Sequence, residues 1–245
     1  RHSIGGHYTS EAEIQLAVLP TIVKPWRERI AAAKTLEDLL ALREVLVEFQ
    51  VLDPACGSGN FLYVAYRELK RLEIDLLDKL ADASGRRRID AATTTLVSAK
   101  QFHGIDINDF AVDLAKVTLM LGKKLSIDEA RQRFSSRQGD LPFEEEKPIP
   151  LDNLDETIKQ GDALFCEWPK ADAIIGNPPY LDARKTTVIH GITYKDKLRK
   201  RYPDIPGRAD YCVHWFRRAH DHLAPGGRAG LVGTNTIREN YSREG

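Results

Sequence analysis

Asn177, Pro178, Pro179 and Tyr180 stand directly behind the apolar run Ala171 to Ile175, with Gly176 between. Pro178 forces Asn177 into extended backbone and Pro179 does the same to Pro178, so the corner is stiff. Neither proline carries an N–H, and the carbonyls of this turn therefore have no ladder partner close by and can point at a ligand. An ordinary proline turn is the alternative for these four residues taken alone.

Three carboxylates stand in comparable positions. Asp53 closes the stretch FQVLD and opens PACGSGN, where a carboxylate can accept from an ammonium or a hydroxyl and would repel a pyrophosphate. Gly57 and Gly59 let backbone approach a ligand at the start of a helix, but the third glycine of a dinucleotide loop is missing. Asp106 ends FHGID, where an acid in a nucleoside-binding α/β fold accepts from ribose hydroxyls; capping of the next helix is its alternative role. Asp162, in GDALF, can accept from an exocyclic amino group. Together they outline a pocket for an adenosine carrying an amino acid.

Alternating strands and helices must position these groups. A capping box, Ser10 with Glu13, starts a helix near Glu11, and leucines at 36, 39, 40, 42 and 46 mark a second helix from Thr35 to about Val47. The period then changes to a strand over Phe49–Asp53, a glycine turn and a long amphipathic helix from Phe61. Phe102–Ile107 is expected as a second strand, followed by a helix over Asp109–Leu121 that stops at Gly122. Loops are expected from Lys123 to Asp155, a third strand near Thr157–Gln160, and a fourth over Ala171–Ile175. A helix over Ala209–Leu223 offers Tyr211, Val213, Trp215, Phe216 and Leu223 to the core, and Arg228–Gly233 is a fifth strand. The pattern predicts an α/β fold with a doubly wound, mostly parallel Rossmann-like sheet. An N-terminal helical segment, 1–48, is expected to precede a catalytic domain, 49–245.

The 245 residues carry 36 basic and 36 acidic side chains and are 42% hydrophobic, which argues against a surface wholly given to nucleic acid while allowing a local basic groove. That groove has one candidate, the stretch 181–208 with Arg184, Lys185, Lys195, Lys197, Arg199, Lys200 and Arg201. Cys56, Cys166 and Cys212 are far apart and form no CxxC pair, so neither a disulfide framework nor a zinc site is expected, and a reducing cytoplasm fits. No apolar run is long enough to span a membrane.

DPACGSGNF, GIDIN, GDALF and GNPPY in combination resemble the S-adenosylmethionine-dependent DNA methyltransferases that modify the exocyclic N6 of adenine. LDPACGSGNFLYVAYRELKRLE, DFAVDLAKVTLMLG, NPPYLDARK and RADYCVHWFRRAHDHLAPGGRAGLVGTNTIREN are most similar to the MmeI-like group, in which the methyltransferase is commonly one module of a restriction-modification polypeptide. The resemblance implies S-adenosylmethionine as cofactor, double-stranded DNA as partner and no metal. It assigns Thr9, in GGHYTS, to the methionine carboxylate, and Asp53, Gly57 and Gly59 to the methionine part, with Ala55 in the same loop. Asp106 and Ile107 would meet the ribose side, and Asp162 and Ala163 the adenine of the cofactor. Phe61 is either an apolar contact or a core residue.

On the same resemblance Asn177, Pro178, Pro179 and Tyr180 face a target base extruded from the duplex. The Asn177 side-chain oxygen and the Pro178 carbonyl would take the two hydrogens of the adenine amino group, localising its lone pair, while Tyr180 stacks on the ring. Arg184, Lys185, Lys197, Arg199 and Lys200 become candidates for DNA backbone contact, a solvated charged loop being the alternative. A protein-glutamine or RNA N-methyltransferase sharing the NPPY chemistry is the nearest rival. A catalytically dead DNA-binding relative, or a nuclease using Glu68-Leu69-Lys70, belongs to other classes. The chain is expected to be a fragment lacking the last antiparallel strands and a target-recognition domain, with β-edge exposure at its fifth strand, weak cofactor binding and no site selection of its own.

Overall fold

A computed structural model describes residues 9–85, 96–138 and 153–238. Five parallel strands form one sheet in the order β3-β2-β1-β4-β5, with β1 Val51–Asp53, β2 Phe102–Asp106, β3 Ile158–Gln160, β4 Ala173–Gly176 and β5 Arg228–Leu231. The direction of winding reverses between β1 and β4. Their carboxyl ends diverge there, which is where such sheets open a crevice for ligands.

Strand alternation loads both faces. Val51, Ala173 and Ile175 point to one side, into a core shared with Ile22, Trp26, Leu46, Leu62 and Leu119. Leu52 and Ile174 point to the other, against Trp168, Leu198, Tyr202 and Trp215. Residues buried on both faces account for the unbroken apolar reading of β4.

The N-terminal helices are α1 Glu11–Val18, a π-helical turn Leu19–Val23, α2 Lys24–Ala32 and α3 Leu36–Glu48. Both predicted starts carry reciprocal caps, Ser10 with Glu13 and Thr35 with Asp38. Ile14, Trp26, Leu39 and Leu46 pack in the same core as the sheet, so residues 9–48 build no core of their own.

Helix α4, Asn60–Ser84, follows the glycine turn, and α5, Asp109–Gln138, follows β2. The expected stop at Gly122 and the loop expected after it are both overturned, because α5 runs on for four more turns. Gly122 is buried against Tyr63, where a Cβ would approach the ring at 3.0 Å. A glycine inside a helix costs about 1 kcal/mol, and here it admits close packing of α4 on α5. Beyond it, Glu129 accepts from Arg71 at 3.0 Å and Arg67 at 3.3 Å across the helix pair, and Ser126 and Ala130 are buried.

Helices α6 Ala183–His190 and α7 Ile192–Arg201 occupy the basic stretch, and α8, Val213–His222, starts four residues later than expected. No helix among the described residues is long and apolar enough to cross a membrane. Residues 5–8 of GGHYTS and the acidic run at 144–146 lie outside the described residues.

Candidate active site

Asp53 is the last residue of β1 and is completely buried. Its Oδ1 accepts from the Ala55 N–H at 3.0 Å, and its Oδ2 finds no partner among the described residues. Burial, with Asp106 nearby, outweighs that hydrogen bond and pushes the carboxyl up to about 8. Gly176, last in β4, has φ +150°, and a Cβ there would stand 2.5 Å from Asp53 Oδ1. The switch point is thus closed at its base by a carboxyl against bare backbone.

The glycine turn bends back onto β2. Cys56 N–H bonds the Ile105 carbonyl at 3.1 Å, and Gly57 N–H, at φ +49°, donates to Asp106 Oδ2 at 2.9 Å. Trp215 Nε1 holds the Pro54 carbonyl at 3.0 Å from the other layer. Gly59 has φ +83° and begins α4, but a Cβ on it would reach 2.8 Å from Ala115 Cα. The missing side chain at Gly59 therefore serves the approach of α5.

Asp106 accepts from Gly57 N–H and, through Oδ1, from Asn108 N–H at 2.8 Å. The helix-capping alternative is overturned: the Asn108 side chain caps α5, accepting from Phe110 N–H at 3.1 Å. Asp106 ties the glycine turn after β1 to the end of β2 and keeps acceptor capacity beyond these two bonds, beside Ile107, which is 55% exposed.

Asp162 follows β3. Its Oδ1 accepts from Leu164 N–H at 3.0 Å, and its Oδ2 accepts from the Tyr194 hydroxyl at 2.9 Å. Tyr194 is also 2.6 Å from the Tyr211 hydroxyl, stacks on His190 with centroids 4.7 Å apart, and meets Phe165 edge-on at 5.4 Å. Burial, with Tyr211 and Asp162 alongside, pushes Tyr194 far up, so it remains a donor. The turn itself is clamped by Trp168 and Arg218, both donating to the Ala163 carbonyl. Sequence reasoning misses Phe165 and Tyr194. Phe165 could have been found in GDALF, whereas Tyr194 lies 32 residues from its partner and carries no local signal.

Asn177 leaves β4 into the crevice. Its Nδ2 donates to Thr9 Oγ1 at 2.8 Å, and its Oδ1 accepts from the Tyr180 hydroxyl. Pro178 is buried, and burial pushes the Tyr180 hydroxyl up to about 12. The fold therefore brings Thr9, Asp53, Ala55, Gly57, Asp106, Ile107, Asp162, Ala163 and the whole Asn177–Tyr180 corner to one edge of the sheet. Phe61 is buried in the apolar core, so the structure supports packing as its role. Arg184, Lys185, Lys197, Arg199 and Lys200 are all exposed on α6 and α7, which follow the corner directly.

An open parallel sheet with carboxylates at or just after the ends of three neighbouring strands, and an amide corner after the strand across its reversal, is a Rossmann-like arrangement with its polar groups on the ligand edge. The sequence matches the family model described as MmeI, DNA-methyltransferase domain, over residues 29–241, and the chain belongs to that family. It is 26% identical over 253 residues to DNA methyltransferase A of Bacillus subtilis (strain 168), covering 98% of this chain and 27% of that protein. Adenine-specific methyltransferase PglX of Streptomyces coelicolor is 28% identical over 231 residues, covering 80% of this chain and 17% of its own length. The solved type IIL restriction-modification enzyme MmeI in complex with DNA superposes with a TM-score of 0.77 at 26% identity, over 98% of this chain and 32% of that one. The chain spans about a quarter of the length of the first curated relative.

Proposed function

We propose that this domain transfers a methyl group from S-adenosylmethionine to the exocyclic N6 of an adenine extruded from double-stranded DNA, as the modification module of a longer protein. The observation that carries the reading is Asn177, whose amide stands at the switch point with both ends held by hydroxyls, facing the crevice that Asp53 floors.

The residues present fit the cofactor. Asp53 Oδ2 is a buried acceptor with no partner among the described residues, suited to an ammonium. Asp106 keeps acceptor capacity for ribose hydroxyls, and Ile107, together with Phe165 at 37% exposure, offers apolar surface to a flat ring. Asp162 can take an amino hydrogen beside the Tyr194 hydroxyl. When bound, S-adenosylmethionine supplies an electrophilic methyl group on a sulfonium.

The amino nitrogen of adenine is a poor nucleophile because its lone pair is delocalised into the ring. Asn177 Oδ1 and the Pro178 carbonyl supply two acceptors for its hydrogens, pyramidalising the nitrogen and aiming its lone pair. The amide oxygen has two lone pairs, so it can hold the Tyr180 hydroxyl and a base hydrogen together. Tyr180 offers an aromatic face to the extruded base, and stacking of this kind contributes about 1–3 kcal/mol. The relatives, a DNA methyltransferase, an adenine-specific methyltransferase and a DNA-bound restriction-modification enzyme, favour DNA over protein as the substrate.

The test is incorporation of labelled methyl into duplex DNA by the full-length protein, with the modified nucleoside identified after digestion. N6-methyladenine is expected, with Asn177→Ala reducing the rate at least about a hundredfold, the scale of losing one preorganised transition-state partner. Label on cytosine, or an unaffected Asn177→Ala, would sink the reading.

A further inference from the structure

Val188, Ile189 and Ile192 are 84%, 42% and 70% exposed, three branched apolar side chains within five positions. One exposed apolar residue needs no explanation, but these stand together where α6 turns into α7. The turn is a single residue, Gly191, at φ +83°, whose N–H donates to the Thr187 carbonyl at 2.9 Å. Lys195 Nζ crosses from α7 to Thr187 Oγ1 at 3.0 Å.

Positions three, four and seven apart share a helix face. Arg184 and Lys185 therefore lie one turn below Val188 on α6, and Lys195 and Arg199 one and two turns below Ile192 on α7. From 182 to 201 the chain carries seven basic side chains against two acids, Asp182, which caps α6, and Asp196. The apolar tip thus has cationic shoulders on both helices.

The tip is also fixed to the ligand edge of the sheet. His190, between the tip residues, stacks on Tyr194 with centroids 4.7 Å apart, and Tyr194 donates to Asp162 Oδ2 at 2.9 Å. The Tyr194 hydroxyl is 2.6 Å from that of Tyr211, and Tyr211 N–H donates at 2.9 Å to the carbonyl of Leu181, the residue after Tyr180. One connected set of contacts ties the tip to the end of β3 and to the corner that meets the base.

A duplex matches both features: phosphates take the charges on either side, and branched side chains enter the base stack, as the apolar wedges of DNA-kinking proteins do. An apolar protein surface laid on the tip would instead strip water from the cations without pairing them. We propose that the α6–α7 turn is a wedge, in which Val188 and Ile192, flanked by Ile189, enter the duplex beside the target adenine and hold the space it vacates. The inference rests on the DNA reading above. Val188 and Ile192 are positioning residues, acting on the base through its stack and touching neither the methyl group nor the reacting nitrogen.

The experiment uses the full-length protein and duplex oligonucleotides built on a site that it methylates, with the target adenine either paired or opposite an abasic position, where extrusion costs less. The double variant Val188→Ser with Ile192→Ser should slow single-turnover methyl transfer at least about tenfold on the paired duplex and by no more than about twofold on the abasic one. With 2-aminopurine in place of the target adenine, the fluorescence rise on binding should shrink in the same variant. Val188→Leu with Ile192→Leu should restore both signals. The dependence of binding on salt should not change, because the cations remain. An undiminished fluorescence rise and rate would overturn the wedge and leave the methyltransferase reading standing. Equal losses on the two duplexes, with a lowered melting temperature, would also overturn it and make the tip a packing contact within the longer protein. Failure of the wild type to methylate duplex DNA would overturn both readings.

Discussion

Gly176 has no side chain because Asp53 occupies the space: a Cβ at Gly176 would lie 2.5 Å from Asp53 Oδ1, in backbone with φ +150° that other residues rarely adopt. Two strands that are neighbours in the sheet but far apart in sequence, β1 and β4, are locked at the site by this one approach.

Gly176→Ala should therefore destabilise the domain by about 2–4 kcal/mol, combining backbone strain with overpacking of a buried carboxyl. Urea unfolding measures it, and part of the loss should return in Gly176→Ala with Asp53→Ala. A midpoint equal to wild type for the single variant would refute the close approach.

The raised carboxyl of Asp53, about 8, has a defined sign. The folded state keeps a proton that an unfolded aspartate loses near 4, so stability contributed here is greatest below pH 4 and falls between about 4 and 8, by up to roughly 1.4 kcal/mol per pH unit. Asp53→Asn should flatten that slope in denaturation measured across the interval. Affinity for a ligand ammonium should run the other way, rising up to about tenfold per unit from pH 6 toward 8 as the carboxylate forms, and levelling where the ligand's α-amino group begins to deprotonate. Titrations at several pH values should lose this rise in Asp53→Asn.

Tyr194 joins α7 to Asp162 through one hydroxyl shared with Tyr211. Tyr194→Phe keeps the stacking on His190 and removes the donor, which should cost about 1–2 kcal/mol in thermal or urea unfolding. Tyr211→Phe removes one of its two bonds and should cost less. Equal stability of all three proteins would show that the hydroxyl cluster contributes nothing.

Lys197, Arg199 and Lys200 are exposed on α7, close in sequence to the Asn177–Tyr180 corner. Replacing all three by Gln in the full-length protein should weaken DNA binding at low salt regardless of sequence. The slope of log K against log salt should decrease by roughly 0.9 for each phosphate that the variant no longer neutralises. An unchanged slope would assign the charges to solvent.

What could be read along the chain were the features whose physics is local. The capping box at Ser10, the helix from Thr35, the glycine turn after Asp53 and the apolar β4 each depend on neighbours within a few positions, and all appear as expected. The helix end expected at Gly122 failed for the complementary reason: the gain from packing α5 on α4 is made by Tyr63, Arg67 and Arg71, some sixty residues earlier. Local propensity is a weak preference beside such tertiary contacts.

The same division runs through the site. Residue type and position at strand ends were enough to single out Asp53, Asp106, Asp162 and Asn177, because a parallel sheet delivers every strand end to one edge whatever the strand order. Their states were a matter of the folded structure. Only there does Asp53 lose water and rise toward neutrality, Asp106 become the anchor of the glycine turn, Asp162 acquire Tyr194, and Thr9 meet Asn177. Desolvation and hydrogen bonding act over a few ångströms of space, and those neighbours are set by tertiary packing, not by adjacency in the chain.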